Sequence, residues 1–176
     1  DSEARQLLPG LAYTLPPKPA RPDFLETSAA AIVAAACEKE LPIAQALGKT
    51  VAGVGPVVVR EAACRALGET PALACDLTAE EKARLAAAID ELKVEHARGG
   101  TPTAVRLPQP DGAPKPVEFS FFVPQQYGSA AILTQYPSYS EMLEDYYATK
   151  DRAERLRQKS RELYKAVHNM YDRAVR

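Results

Sequence analysis

Two stretches of this 176-residue chain carry groups with a chemistry of their own. The first is Gly53-Val54-Gly55, which precedes an apolar run beginning at Pro56. Two glycines one residue apart permit a tight turn, and a helix that starts directly after them leaves backbone N–H groups free at its positive end. Such donors can hold a phosphate of DNA or RNA without reading its bases. The only nearby cations are Lys49 and Arg60, because Pro56, Val57 and Val58 stand where nucleic-acid-binding hairpins usually place a Lys or Arg. Phosphate affinity grows with the number of charges neutralised, so packing of this hairpin against protein is an equal alternative. The second stretch is the C-terminal run from Lys150 to Arg176, with nine Lys/Arg against four Asp/Glu in a chain whose overall charge is −1. Any anion-seeking surface should therefore lie at this end, with Lys150, Arg152, Arg155, Arg157 and Lys159 as the candidate RNA contacts. A solvated coiled-coil exterior is the competing reading of the same charges. Tyr136, Tyr139, Tyr146 and Tyr147 precede the basic run; they can stack on bases, but packing is the commoner use of tyrosine there.

No arrangement of residues suggests catalysis. His96 and His168 fall on separate helices without a motif-placed acid or nucleophile, Glu80-Glu81 and Glu144-Asp145 suit helix starts and surfaces, and no phosphate-loop or dinucleotide fingerprint occurs. No enzyme activity, metal or cofactor is expected. Cys37, Cys64 and Cys75 lie among alanines and leucines with no paired spacing, which reads as buried reduced thiols in a cytosolic protein. No apolar run approaches the ~20 residues needed to cross a bilayer, so no membrane partner is expected.

The elements that must position these residues are mostly helical. Residues 1–25 read as an extended tail, punctuated by Pro9-Gly10 and by Pro16, Pro17, Pro19 and Pro22. Residues 26–100 form a helical module. A helix runs from Thr27 to about Glu40 with Thr27 or Ser28 as its cap, and a short helix starts near Pro42 and ends at Gly48. The glycine hairpin and its following helix reach Gly68, and a last helix begins at Thr78, where Thr78 and Glu81 have capping-box spacing. That last helix buries Leu85, Ile89 and Leu92 and stops at Gly99-Gly100. Residues 101–137 are a small β segment: Thr103–Leu107 and Val117–Val123 form a hairpin with a long proline-rich loop, and Ala130–Gln135 can add a third strand. Residues 138–176 form an uninterrupted helix capped by Ser138 or Ser140. Ala153, Leu156, Ser160, Leu163, Val167, Met170 and Ala174 recur at alternating steps of three and four, a coiled-coil seam of about three heptads. The fold class is thus mainly α with a small β part: a helix-hairpin-helix module, a short antiparallel hairpin or three-stranded sheet, and a long coiled-coil helix. A seam left in water asks for a partner strand, either a missing part of the same protein or a second copy through self-association.

Taken together, several stretches resemble the NFACT family, which includes bacterial fibronectin/fibrinogen-binding protein A and RqcH-like ribosome quality-control factors. Arg5, Leu8-Pro9-Gly10, Tyr13 and Pro16-Pro17 resemble the end of its N-terminal domain. Gly53-Val54-Gly55-Pro56 with Arg60-Glu61 resembles its helix-hairpin-helix, and Ser138, Ser140, Leu143, Tyr146-Tyr147, Lys150, Arg155, Gln158-Lys159 and Leu163 resemble the start of its coiled coil. The resemblance implies an internal fragment of a cytoplasmic protein. Such a protein binds the large ribosomal subunit and tRNA and supports untemplated, mostly alanine, C-terminal tailing of stalled chains. The coiled coil would reach across the ribosome, and the hairpin would hold tRNA or the neighbouring domain. A cell-surface adhesin for fibronectin or fibrinogen is implied only by the inherited name, since no export signal or anchor pattern supports it.

Overall fold

The computed structural model describes residues 10, 13, 15, 20–68, 72–110 and 112–174. Most of the expected tail, including Arg5, Leu8, Pro9, Pro16 and Pro17, lies outside the described residues. Four helices make the first layer: α1 (Ala29–Cys37), α2 (Ile43–Thr50), α3 (Pro56–Leu67) and α4 (Ala79–Ala97), with a single 3-10 turn at Ala74–Asp76 before α4. α1 packs on α2 and α4, and α3 packs on α2 and α4. Its alanines allow this close approach: Ala29 and Ala36 are buried together with Ile32 and Val33. The helix is shorter than the alanine pattern suggests, because Ser28 Oγ accepts the Ala31 amide at one end and Glu38 already caps the other. Gly48 lies inside α2 and does not end it; the helix continues to Thr50, where Val51 turns extended.

α4 starts as expected. Thr78 Oγ1 accepts the Glu81 amide while Glu81 Oε2 accepts the Thr78 amide at 2.8 Å, satisfying two otherwise orphaned donors. The backbone bond from Thr78, before any other cause, holds the Glu81 carboxyl below its ordinary value. Leu85, Ile89 and Leu92 are fully buried one above another, each contributing about 1.5–3 kcal/mol relative to exposure. Cys37 and Cys64 are half-buried, and burial pushes the Cys37 thiol up. Cys75 corrects the expectation of burial, since it sits exposed on the 3-10 turn.

The β segment is a three-stranded antiparallel sheet in the order β2-β1-β3, with β1 at Thr103–Gln109, β2 at Gly112–Ser120 and β3 at Ile132–Gln135. The long hairpin loop expected from the prolines is replaced by a tight connection, since Gln109 already pairs with Gly112. Pro114 and Pro116 are tolerated because β2 is an edge strand, and Pro108 lies past the last β1 residue paired with β3, Arg106. A bulge between Val105 and Arg106 takes up the extra residue Val117. β2 ends before Phe121, and there the chain leaves the sheet for the helical layer: Phe122 is buried in the helical core and Phe121 meets His96 edge-on at 5.4 Å.

The last helix, α5, runs 36 residues from Tyr139 to Ala174, about 54 Å. Ser138 Oγ accepts the Glu141 amide at 3.2 Å, which settles which serine caps it. Its first turns lie on the sheet, where Met142 and Tyr146 are buried with Ala104. The seam expected from Ala153 onward begins earlier: Tyr139, Met142, Tyr146 and Thr149 continue it backward at the same steps. Its lower part is covered by the sheet and Thr149 is half-buried, whereas every residue from Lys150 to Arg173 is exposed. Leu156, Leu163, Val167 and Met170 are all more than half exposed on this bare stretch, and the side chain of Ala174 lies outside the described residues. No described helix is long and apolar enough to cross a membrane.

Candidate functional site

The hairpin is built from both sides. Gly53 has φ +85°, and a Cβ there would lie 2.9 Å from Asp23 Oδ2, so both backbone sign and space call for glycine. Residues 22–24 strap the turn: the Phe24 amide donates to the Ala52 carbonyl at 3.0 Å, and the Ala52 amide donates to that of Pro22 at 2.9 Å. Gly55 is the N-cap of α3 and Pro56 occupies its first turn, where a missing N–H costs nothing. Among the described residues, no acceptor meets the amides of Gly53, Val54 and Gly55. These donors therefore remain available for an anion, as the motif requires. Lys49, Gly55 and Arg60 come together along a groove of about 560 Å³ between α2 and α3, with Gly48, Val54 and Val59 in its wall.

Two features of this groove weaken it as a phosphate cradle. Asp23 places a carboxylate against Gly53, where it receives the amides of Leu25 and Glu26. Arg60, for its part, is spoken for: its Nε donates to Gln126 Oε1 at 3.1 Å, and its NH2 lies 3.5 Å from the Tyr127 hydroxyl and 3.6 Å from Glu118. Val54 packs against the helical core. The charge balance of the hairpin is therefore mixed.

The residue next to Arg60 does more. Glu61 is completely buried on α3, and its carboxylate accepts the backbone amides of Gln125 at 3.0 Å and Gln126 at 3.2 Å, together with Arg65 Nε at 2.9 Å. Arg65 also reaches Glu95 at 3.2 Å and lies 5.5 Å over the Phe122 ring. Burial alone would lower the Arg65 pKa, but the hydrogen bonds and charges of Glu61 and Glu95 outweigh it and hold the guanidinium above its usual value. This clasp ties the helical layer to the segment between β2 and β3. The spacing Glu61 to Arg65 hints at an i, i+4 pair, but nothing local marks the distant amides as the main partners.

At the base of α5 the basic residues begin against aromatics. Tyr146 and Tyr147 meet edge-on at 5.3 Å, Phe119 packs on both, and Lys150 Nζ lies about 6 Å from each tyrosine ring centroid. Tyr146 is buried and serves packing; Tyr147 is half-exposed. Arg106 on β1 and the Tyr136 hydroxyl both donate to Asp145 on α5, pinning the helix to the sheet. The Tyr136 hydrogen bond, and then Arg106, pull the Asp145 pKa down, while burial and the Asp145 bond push Tyr136 up. With its folded pKa below the unfolded one, near about 3.9, Asp145 contributes stability that is complete above that value and is lost as pH falls through the folded pKa. Acidification below pH ~4 is expected to loosen the base of α5 in the wild type, and Asp145→Asn is expected to remove that pH dependence. Amide hydrogen exchange across residues 139–150 as a function of pH measures both.

Farther along the helix, Arg152, Arg155 and Lys159 line one face with Leu156, and Arg157 pairs with Glu154 at 3.2 Å. The hairpin cations and the helix cations thus lie on separate surfaces. No group of His, Cys, Asp and Glu among the described residues is arranged to hold a metal.

Residues 1–176, the whole chain, match the family model for the NFACT N-terminal and middle domains. The chain belongs to the NFACT family. This is a family of ribosome-associated quality-control factors, typically cytoplasmic. No curated protein matches the chain. Within this NFACT chain, the family-like Arg60-Glu61 pair stands at the contact between the helical layer and the β segment, and the family-like Tyr146-Tyr147-Lys150 group stands where α5 leaves the sheet.

Proposed function

We propose that this chain is the non-catalytic, RNA- and ribosome-contacting middle module of a quality-control factor that supports C-terminal alanine tailing of stalled nascent chains. The observation that carries this reading is α5: an exposed cationic helix, fixed at its base by the sheet, that projects about 35 Å beyond the compact layers. Lys150, Arg152, Arg155, Arg157, Lys159, Arg161 and Lys165 lie on that free stretch, and a rigid rod of cations can meet phosphates far from the body of the protein. The partners are the large ribosomal subunit and, through the whole protein, tRNA. For the hairpin, the Asp23 carboxylate and the engaged Arg60 favour a connector role, with Gly53, Val54 and Gly55 shaping a protein contact. No feature of the described residues favours fibronectin or fibrinogen binding.

Co-sedimentation with bacterial large ribosomal subunits tests the reading. Reversing Arg152, Arg155, Arg157 and Lys159 to glutamate is expected to weaken association about tenfold or more at low salt, with helix content by circular dichroism unchanged. Lys49→Ala is expected to leave it within about twofold, since one exposed cation contributes little. Undiminished sedimentation of the fourfold variant would remove the basic helix from the interface.

A further inference from the structure

A second stripe runs along α5, beside the apolar seam rather than in it. Tyr147, Lys150, Glu154, Arg157, Arg161, Tyr164, His168 and Tyr171 recur at alternating steps of three and four, so they share one side of the helix over about 36 Å. Rings stand at both ends of the stripe and cations between them. Its single acid, Glu154, is paired with Arg157 at 3.2 Å. Every member is exposed. At the near end Lys150 Nζ lies 6.0 Å from the Tyr147 ring centroid. At the far end the Tyr164 and His168 rings stack with their planes 6° apart and their centroids 6.2 Å apart. Tyr164 is 73% exposed and Tyr171 64%, which leaves broad ring faces in water.

The far rings contribute little to the fold. Tyr and His form helix less readily than Ala, Leu or Lys, and Tyr164, His168 and Tyr171 stand on a stretch where every residue is exposed. Parallel rings do offer what a nucleobase needs, a flat face on which any base can stack. Arg161 lies three residues before Tyr164 and Lys165 three before His168, so each stacked pair of rings has cations one helical turn away for the adjoining phosphates. Building on the RNA-contacting reading of α5, we propose that this stripe is a track for single-stranded RNA. Unpaired bases rest on Tyr164, His168 and Tyr171, and the phosphates between them meet Lys150, Arg157, Arg161 and Lys165. Double-stranded RNA keeps its bases stacked on one another and presents phosphates and 2′-hydroxyls, so the rings add nothing to its binding. The track therefore selects loops, bulges and ends over duplex.

Two labelled oligomers test this on the intact chain: an oligouridylate of about twelve nucleotides and an abasic strand with the same number of phosphates. Fluorescence anisotropy is expected to show the oligouridylate binding at least about tenfold more tightly than the abasic strand. Tyr164→Ala, His168→Ala and Tyr171→Ala in one variant should abolish that preference while leaving the affinity for the abasic strand within about twofold. Helix content by circular dichroism should be undiminished, since alanine is the better helix former. Tyr164→Phe and Tyr171→Phe, with His168 kept, should restore the preference, because the ring and not the hydroxyl does the stacking. Equal affinity for the two strands, no binding of either, or a preference that survives the alanine variant would each overturn the proposal. Failure of the ribosome reading shows elsewhere, in undiminished co-sedimentation of the fourfold glutamate variant, so the two can fail separately.

Discussion

Glu61→Ala is expected to destabilise the folded chain by about 3–5 kcal/mol, the range for removing one partner from a buried ion pair. The side chain has no solvent exposure, so no water replaces it when it is truncated. Its loss strands the amides of Gln125 and Gln126 and leaves Arg65, whose side chain is only 11% exposed, with the more exposed Glu95 as its remaining close acceptor. The residues affected belong to both layers, so the helical module and the segment after β2 should loosen together. Glu61→Gln keeps the shape and one acceptor but not the charge, and about half that loss is expected. Glu91→Ala, at a side chain 67% exposed and 3.9 Å from Arg65, should change stability by less than about 1 kcal/mol. Urea unfolding followed by circular dichroism separates the three. A Glu61→Ala chain within 1 kcal/mol of the wild type would show that the clasp does not hold the layers.

Gly100→Ala is expected to cost about 2–5 kcal/mol, and its neighbour supplies the control. Both Gly99 and Gly100 have positive φ, +92° and +66°, and an alanine at either bears the left-handed penalty of about 1–2 kcal/mol. At Gly99 a Cβ would meet nothing within 4 Å, so Gly99→Ala should cost only that penalty. At Gly100 it would press on the Phe121 carbonyl and stand 2.6 Å from the Tyr139 hydroxyl oxygen. The first is backbone tied to the Thr101 amide, and the second donates to the Gly99 carbonyl at 2.6 Å, so neither can yield without breaking a bond that joins α4, the sheet and α5. Overpacking of this kind adds about 1–3 kcal/mol. The same urea titration reads both variants, and equal losses at the two glycines would refute the close approach.

These two sites differ in how readable they are. Gly99-Gly100 stands out in the sequence as the stop of a helix, yet which glycine is crowded depends on Phe121 and Tyr139, which come from other elements. Glu61 is harder still. In an alanine-rich helix it looks like one half of a surface pair with Arg65, because its other partners are backbone amides of Gln125 and Gln126, and a backbone amide has no residue type to betray it. The hairpin cations show the same limit from the opposite side. Arg60 looks free in the sequence, and the fold gives it to Gln126, Tyr127 and Glu118.

What the order of residues determined by itself is everything governed by short-range periodicity and turn chemistry. The capped start of α4, the triad Leu85, Ile89 and Leu92, the helix-turn-helix around Gly53 and the long seam of α5 all follow from spacings of three or four residues or from a glycine at positive φ. The short hairpin between β1 and β2 did not follow, because prolines that break a central strand are harmless on an edge, and edge or centre is a property of the assembled sheet. Only the tertiary structure decided which charges remain free. Arg60 and Arg65 are consumed in holding two layers together, Asp145 is consumed in pinning α5, and the cations beyond Lys150 stay exposed because the sheet that covers the first part of the seam ends there. A charge is free or engaged according to neighbours that lie far off in sequence, and no local pattern records them.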